Sequence, residues 1–165
     1  MAENVHPVSI GEMIVSSNPD DVLVAYGLGS CAAVILYDPQ RRLGGMVHSL
    51  LPTAPPNVSL DGTAAKFVDH GVPMLIEALL GQGADRSRLV AALCGGAQMI
   101  TAPGLPDTLN IGGRNIAAAE AALRAAGISL RARATGGNIG RTVKLIIKTG
   151  QMTVKCAGQA EQPLT

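Results

Sequence analysis

Residues 22–52 read VLVAYGLGSCAAVILYDPQRRLGGMVHSLLP. Within them, residues 31–37 and 43–51 are apolar runs rich in β-forming side chains, and Asp38-Pro39-Gln40-Arg41 between them is turn chemistry. Two such runs around a short turn predict an antiparallel hairpin. With the loop set at residues 38–41, Tyr37 opposes Arg42 and opposed residue numbers sum to a constant. Ile35 then faces Gly44, Ala33 faces Met46, and Cys31 faces His48. Directly opposed side chains share a face, with Cβ atoms ~4.5–5.5 Å apart, so this register brings a thiol to an imidazole. A slip of one residue would send every side chain to the other face and separate the pair.

Working outward, residues 22–26 predict a buried strand, and Gly27-Leu28-Gly29-Ser30 a tight turn ending at Cys31. Residues 5–15 predict one or two short strands. Downstream, Pro52, Pro55 and Pro56 mark an exposed loop over residues 53–62. A helical pattern covers residues 63–80, with Pro73 inside it to kink the helix or delay its start. Residues 89–94 predict a strand that runs into Gly95-Gly96-Ala97. Residues 113–126 predict a helix with Ile116, Ala119, Ala122 and Leu123 on one face and Gly127 as its C-terminal cap. Residues 128–134, 142–148 and 152–156 predict strands, and about 159–165 a polar, frayed tail. This order predicts one domain over residues 1–165. Its class is α+β, a layered sandwich of mostly antiparallel sheets with two main helices.

Composition narrows the function. The chain has 47% hydrophobic residues but only two Tyr and one Phe, so its core is aliphatic. Thirteen basic and twelve acidic residues give a net charge of +1 with no run of one sign. That balance, and the lack of aromatic platforms, argues against nucleic-acid binding. No apolar run approaches the ~20 residues of a membrane span, so direct membrane insertion is not expected. Residues 1–6 lack the basic and apolar regions of a signal peptide. Cys31, Cys94 and Cys156 match no zinc or CxxC spacing, so neither metal nor cofactor is expected. The expected setting is a reducing cytoplasm, where a free thiolate persists.

The candidate chemistry lies in the hairpin. A His beside a Cys can take the thiol proton and leave a thiolate, the nucleophilic form, with an imidazolium next to it. Backbone amides of Gly29 and Ser30 are candidates to cradle an oxyanion. Taken singly, a Cys or a His in an apolar strand is more often a packing residue. Cys94 and Cys156, which have no local base, are read that way. His6 is expected in an inert terminus and His70 on a solvated helix face. The glycine motifs carry neither a P-loop nor a full GxGxxG fingerprint.

The stretch YGLGSCAAVILYDPQRRLGGMVHSLLP, residues 26–52, resembles the signature of the CheD family of chemoreceptor glutamine deamidases. Further matches follow in order: Gly11-Glu12, Lys66-Phe67-Val68-Asp69, Gly95-Gly96-Ala97-Gln98-Met99, Asn110-Ile111-Gly112-Gly113-Arg114-Asn115 and Thr135-Gly136-Gly137-Asn138-Ile139-Gly140-Arg141. The resemblance implies a protein-glutamine glutaminase that converts receptor glutamines to glutamates and releases ammonia. It implies Cys31 as nucleophile, His48 as base and acid, and a thioester intermediate. Chemoreceptors are the implied partners, with a CheC-like phosphatase as a second. The family is also similar in fold to bacterial toxins that deamidate host glutamines. Gly136, Gly137 and Asn138 are candidates for the rim of the substrate site by the same analogy. Arg114 and Arg141 brace glycine turns or meet acidic receptor surface.

The family pattern places a Thr two positions before the first Gly of GLGSC, as third member of a triad; here that residue is Ala25. A methyl group cannot orient an imidazole. A backbone carbonyl, a water, Ser30 or Asn138 could take over. Alternatively, the protein is a non-catalytic module that binds receptors or a CheC-like partner. A thiol peptidase is the third reading, disfavoured because no subsites for an extended chain are legible.

Overall fold

The computed structural model describes residues 3–57, 59–100, 103–104, 106 and 109–165. The readings of the first two residues and of Val58 in the proline-rich loop lie outside these. Among the described residues, ten strands form two mixed sheets. One sheet has the order β1-β3-β8-β9-β10, with β1 Asn4–Pro7, β3 Asp21–Leu28, β8 Arg141–Ile146, β9 Met152–Cys156 and β10 Gln162–Pro163. The other has the order β2-β5-β4-β6-β7, with β2 Met13–Ser16, β5 Leu43–Ser49, β4 Ala32–Asp38, β6 Val90–Gly95 and β7 Leu130–Thr135. Only β1–β3 and β6–β7 pair in parallel; the other strand pairs are antiparallel, as the sequence predicts.

The second sheet is the middle layer, and period-two alternation in β4 shows why. Ala32, Val34 and Leu36 join an apolar cluster with Val68, Val72, Leu75 and Leu79 of helix α1 (Val68–Gly81) and with Ala119 and Leu123 of helix α2 (Ile111–Ala125). Ala33, Ile35 and Tyr37 join a second cluster with Leu23 and Ala25 of β3 and Val143 and Leu145 of β8. All seven residues of β4 are buried, as a strand covered on both faces requires. Each fully buried Leu, Ile or Val contributes about 1.5–3 kcal/mol relative to exposure. The Tyr37 hydroxyl ties the two sheets by donating to the Ile147 carbonyl at 2.7 Å.

Helix α1 begins at Val68, after a 3-10 turn over Ala64–Lys66, and carries Pro73 within its body. Gly71 lets it approach β5 closely, since a Cβ there would lie 3.0 Å from the Ser49 hydroxyl. Helix α2 starts two residues before the predicted boundary, because Asn110 caps it by accepting from the Gly113 amide at 2.9 Å. Gly127, at φ +73°, lets the chain leave that helix through the Ile128 amide, which donates to the Leu123 carbonyl.

Three expectations need correction. The hairpin register is offset by two residues: Asp38 pairs with Leu43 and Tyr37 with Gly44, so Ala33, not Cys31, opposes His48. The cause lies in Asp38. Its carboxylate accepts from the Gln40 and Arg41 amides and from the Arg88 guanidinium, which holds it in the strand and leaves residues 39–42 as the loop. His6 is not in an inert terminus. It sits in β1, and its Nε2 lies 2.9 Å from the Asp21 carboxylate. The tail is not frayed: Gln162 and Pro163 pair with β9, and Leu164 is buried against the inter-sheet cluster.

Candidate active site

A two-residue offset preserves the side-chain face. His48 and Cys31 therefore both project from the middle sheet toward the first sheet, at the same end of the hairpin, as diagonal rather than direct neighbours. They line one pocket of about 420 Å³ together with Pro7, Val8, Tyr26 and Gly27. The concavity is made where β1 and β3 end. Gly27 takes φ +60° beside the bulge in β3 between Ala25 and Leu28, and this turns the chain toward Cys31. A larger concavity of about 710 Å³ lies between α2 and β7, but it contains neither Cys nor His.

His48 is held on every side but one. Its amide donates to the Glu12 carbonyl and its carbonyl accepts from the Gly11 amide. The matched Gly11-Glu12 pair thus clamps the backbone of the base. The ring Nδ1 lies 2.8 Å from the Val8 carbonyl oxygen. A carbonyl only accepts, so this contact places the proton on Nδ1 and leaves the lone pair on Nε2. Nε2 is buried and has no hydrogen-bond partner. Val8 thereby supplies, from its backbone, what the Ala25 side chain cannot: Ala25 is fully buried in the inter-sheet cluster and its methyl group is no acceptor.

The thiol and the imidazole are not hydrogen-bonded to one another, since Nε2 has no partner. Cys31 is 7% exposed and His48 4%. Burial pushes the Cys31 thiol above its ordinary value, opposed only by its own backbone amide. Burial likewise pulls the His48 imidazole below its ordinary value, against the opposing pull of the Val8 carbonyl and Glu12. Both directions favour the neutral thiol and the neutral imidazole over a standing thiolate–imidazolium pair.

The turn before Cys31 is braced from behind. The Gly29 carbonyl accepts from the Ala97 amide at 2.9 Å, the Ser30 carbonyl from Asn115 Nδ2 at 2.8 Å, and the Cys31 carbonyl from the Gly96 amide at 2.8 Å. Gly95 must be a glycine: at φ +109°, a Cβ would stand 2.1 Å from the Cys31 carbonyl oxygen. Gly112 lets α2 meet this segment, since a Cβ there would stand 2.4 Å from the Ala97 carbonyl oxygen. The candidate rim residues lie further out. The Gly136 amide donates to the Gly95 carbonyl, and the Gly137 carbonyl accepts from the Gln98 amide. Neither they nor Asn138 line the pocket. Arg141 braces this loop by donating to the Gly136 carbonyl at 2.8 Å.

Two contributors escaped the sequence reading. Val8 acts through its carbonyl, which any residue supplies, so no side-chain signal marked it. Asn115 did leave a signal: it lies four residues before Ala119, on the buried face of α2.

A family model described as CheD chemotactic sensory transduction matches residues 50–156. The chain belongs to the CheD family. A relative from Symbiobacterium thermophilum, named a probable chemoreceptor glutamine deamidase CheD, is 44% identical over 95% of both chains. A relative of the same name in Caldanaerobacter subterraneus is 38% identical over 96% of both chains, and a probable chemoreceptor glutamine deamidase CheD 2 in Geobacter metallireducens is 43% identical over 92% of this chain and 93% of that one. These alignments span nearly the whole length. Among solved structures, a Bacillus licheniformis hypothetical protein, YfiH, aligns over 78% of this chain and 57% of its own at TM-score 0.41 and 18% identity, a likeness too slight to bear on function. Among the described residues, no helix is long and apolar enough to cross a membrane.

Proposed function

We propose that this protein hydrolyses the carboxamide of selected glutamine side chains on chemoreceptors, giving glutamate and ammonia, with Cys31 as nucleophile and His48 as base. The names of the relatives supply the substrate class. The observation that carries the chemistry is the unpartnered Nε2 of His48, buried in the pocket it shares with Cys31. A lone pair with no other use, held by a fixed tautomer, is what a general base needs.

Because both groups rest neutral, the proton moves as the bond forms. The sulfur attacks the carboxamide carbon while Nε2 takes the thiol proton, and the carbonyl π pair moves to oxygen. Amides of the Gly29-Ser30-Cys31 turn receive that oxyanion. The imidazolium returns its proton to the nitrogen, the C–N bond breaks and ammonia leaves. Water, deprotonated by His48, adds to the thioester, and the sulfur departs and recovers the proton. Gly136 and Gly137 serve the site through Gly95 and Gln98 rather than by touching the amide. The exposed apolar side chains Ile10 and Tyr26 at the pocket suit a protein surface as substrate. A CheC-like phosphatase stands as a proposed second partner on family resemblance.

Incubation with the cytoplasmic part of a cognate chemoreceptor tests this reading. Each converted glutamine adds about one dalton to the receptor mass, the difference between an amide and an acid, and Cys31→Ala serves as the control. A shift with wild type and none with Cys31→Ala supports the deamidase. Ala25 and the missing thiol–imidazole hydrogen bond favour the other reading, a receptor-binding module without turnover. That reading predicts binding by both proteins and a mass shift from neither.

A further inference from the structure

The carboxamide of Asn115 is fully buried on the inner face of α2. Its Nδ2 donates to two carbonyls on different elements, that of Ser30 at 2.8 Å and that of Leu50 at 3.0 Å. Ser30 precedes the nucleophile and Leu50 follows the base by two residues. One side chain thus spans the turn bearing Cys31 and the strand bearing His48. Both of its protons are spent there, and its Oδ1 is buried without a partner. An orphaned buried oxygen is costly, and the two bonds from the nitrogen are what Asn115 supplies in return.

The Ser30 contact fixes more than a distance. No cis peptide is present among the described residues, and in a trans peptide the C=O and the following N–H point in opposite directions. With the Ser30 carbonyl turned toward Asn115, the Cys31 amide faces away from α2. The Gly29 carbonyl is turned toward the Ala97 amide, so the Ser30 amide points away from Ala97. Neither amide finds a backbone acceptor among the described residues.

We propose that Asn115 is a positioning residue: by pinning the Ser30 and Leu50 carbonyls it aims the Cys31 amide into the pocket as an oxyanion donor in register with His48. This rests on the proposed deamidase reading, but its test does not need the receptor. Two probes react with Cys31 by different routes. Iodoacetamide alkylates the sulfur by displacement at a saturated carbon, with no oxyanion. A p-nitrophenyl ester acylates it through a tetrahedral oxyanion, with p-nitrophenolate as leaving group. Losing a well-aimed oxyanion donor costs ~10²–10³-fold, and misaiming one costs less.

Asn115→Leu, which donates nothing, is expected to slow acylation of Cys31 by about 10–100-fold while alkylation changes less than about twofold. Asn115→Ser, which keeps one smaller donor, falls between and guards against a Leu variant that does not fold. Both rates are read by intact mass, with near-ultraviolet circular dichroism to establish folding. Equal changes in both rates in whichever variant folds would mean that Asn115 only holds the fold together, and the proposal falls. It also falls if wild type acylates no faster, relative to its alkylation, than N-acetylcysteine. Failure of the deamidase reading is seen separately, as an unshifted receptor mass with the acylation ratio intact.

Discussion

The ring Nδ1 of His48 lies 2.8 Å from the carbonyl oxygen of Val8, across the gap between the two sheets. This contact joins a strand of the middle sheet to the end of β1, and so makes imidazole orientation a property of the sandwich rather than of one neighbouring side chain. It also selects the tautomer that leaves Nε2 free. A hydroxyl at position 25 is then not required for the ring to be held.

Burial of a neutral imidazole has a consequence for stability. The folded pKa of His48 lies below its unfolded value, which is about 6.5. Above that value both states are neutral there and nothing is lost. As pH falls below it, the unfolded chain takes a proton that the folded chain refuses, and stability declines until the folded pKa is passed. His48→Gln, which can still donate to Val8, is expected to flatten this part of the profile between about pH 7 and pH 5. Urea unfolding at a series of pH values measures it. An unchanged slope in the variant would locate the acid sensitivity elsewhere.

Cys31 should react as a buried thiol and not as a preformed thiolate. Alkylation by iodoacetamide is expected to rise with pH through a midpoint above the ordinary thiol value of about 8.5, because burial raises it. A midpoint below neutrality, with a plateau, would instead reveal a thiolate–imidazolium pair and contradict the neutral resting state. Peptide mass mapping separates Cys31 from Cys94 and Cys156.

Much of this arrangement is legible in the sequence because strand periodicity is two. Any even error in register keeps Cys31 and His48 on one face, and the error was even. Its size was not legible. Asp38 looks like a turn residue, but Arg88, fifty positions away, makes it a strand residue. The same kind of distant partner hid the place of His6, which is ordered by Asp21; that carboxylate also accepts from Ser16 at 2.5 Å. The final strand was hidden because its two residues are exposed and its apolar anchor, Leu164, lies one residue beyond it in an otherwise polar run. A backbone carbonyl such as that of Val8 leaves no mark in a sequence at all.

Asp38 permits a second stability prediction with a magnitude. Burial opposes its ionisation, but donation from Arg88 and from the Asp85, Arg41 and Gln40 amides outweighs it and holds the carboxyl at about 2. The group is wholly inaccessible to solvent. Its ionised form therefore contributes about 2 kcal/mol above pH ~4, lost as pH falls toward the folded value. Asp38→Asn should lose at least that much at pH 7, and its acid unfolding limb below pH ~4 should be correspondingly flatter. Equal limbs in the two proteins would show that the pair contributes nothing net.

Placing at position 25 the threonine that the resemblance leads one to expect should not help. Ala25 is fully buried and opposes Val143 between the sheets. Adding a hydroxyl and a methyl there is expected to cost about 1–3 kcal/mol by overpacking. If the Val8 carbonyl already orients His48, Ala25→Thr raises ammonia release from receptor by less than about threefold. A tenfold gain with no loss of melting temperature would show that the carbonyl is a poor substitute for the side chain.

The glycines near the nucleophile separate into two kinds, and one pair of variants tells them apart. Both Gly95 and Gly136 have positive φ, at +109° and +78°. A Cβ at Gly136 meets open space, so Gly136→Ala pays only backbone strain, about 1–2 kcal/mol. A Cβ at Gly95 meets the Cys31 carbonyl oxygen at 2.1 Å. That obstacle is main chain, which no rotamer change can move aside, and the same oxygen accepts the Gly96 amide that braces the turn. Gly95→Ala must therefore either displace the nucleophile or unfold the edge of β6, at a cost above about 3 kcal/mol. Urea unfolding and Cys31 acylation, measured together, distinguish these outcomes. Gly136→Ala is expected to keep acylation near wild type, whereas Gly95→Ala loses it even where the variant remains folded. A Gly95→Ala protein that is both stable and reactive would show that the carbonyl brace behind Cys31 is dispensable.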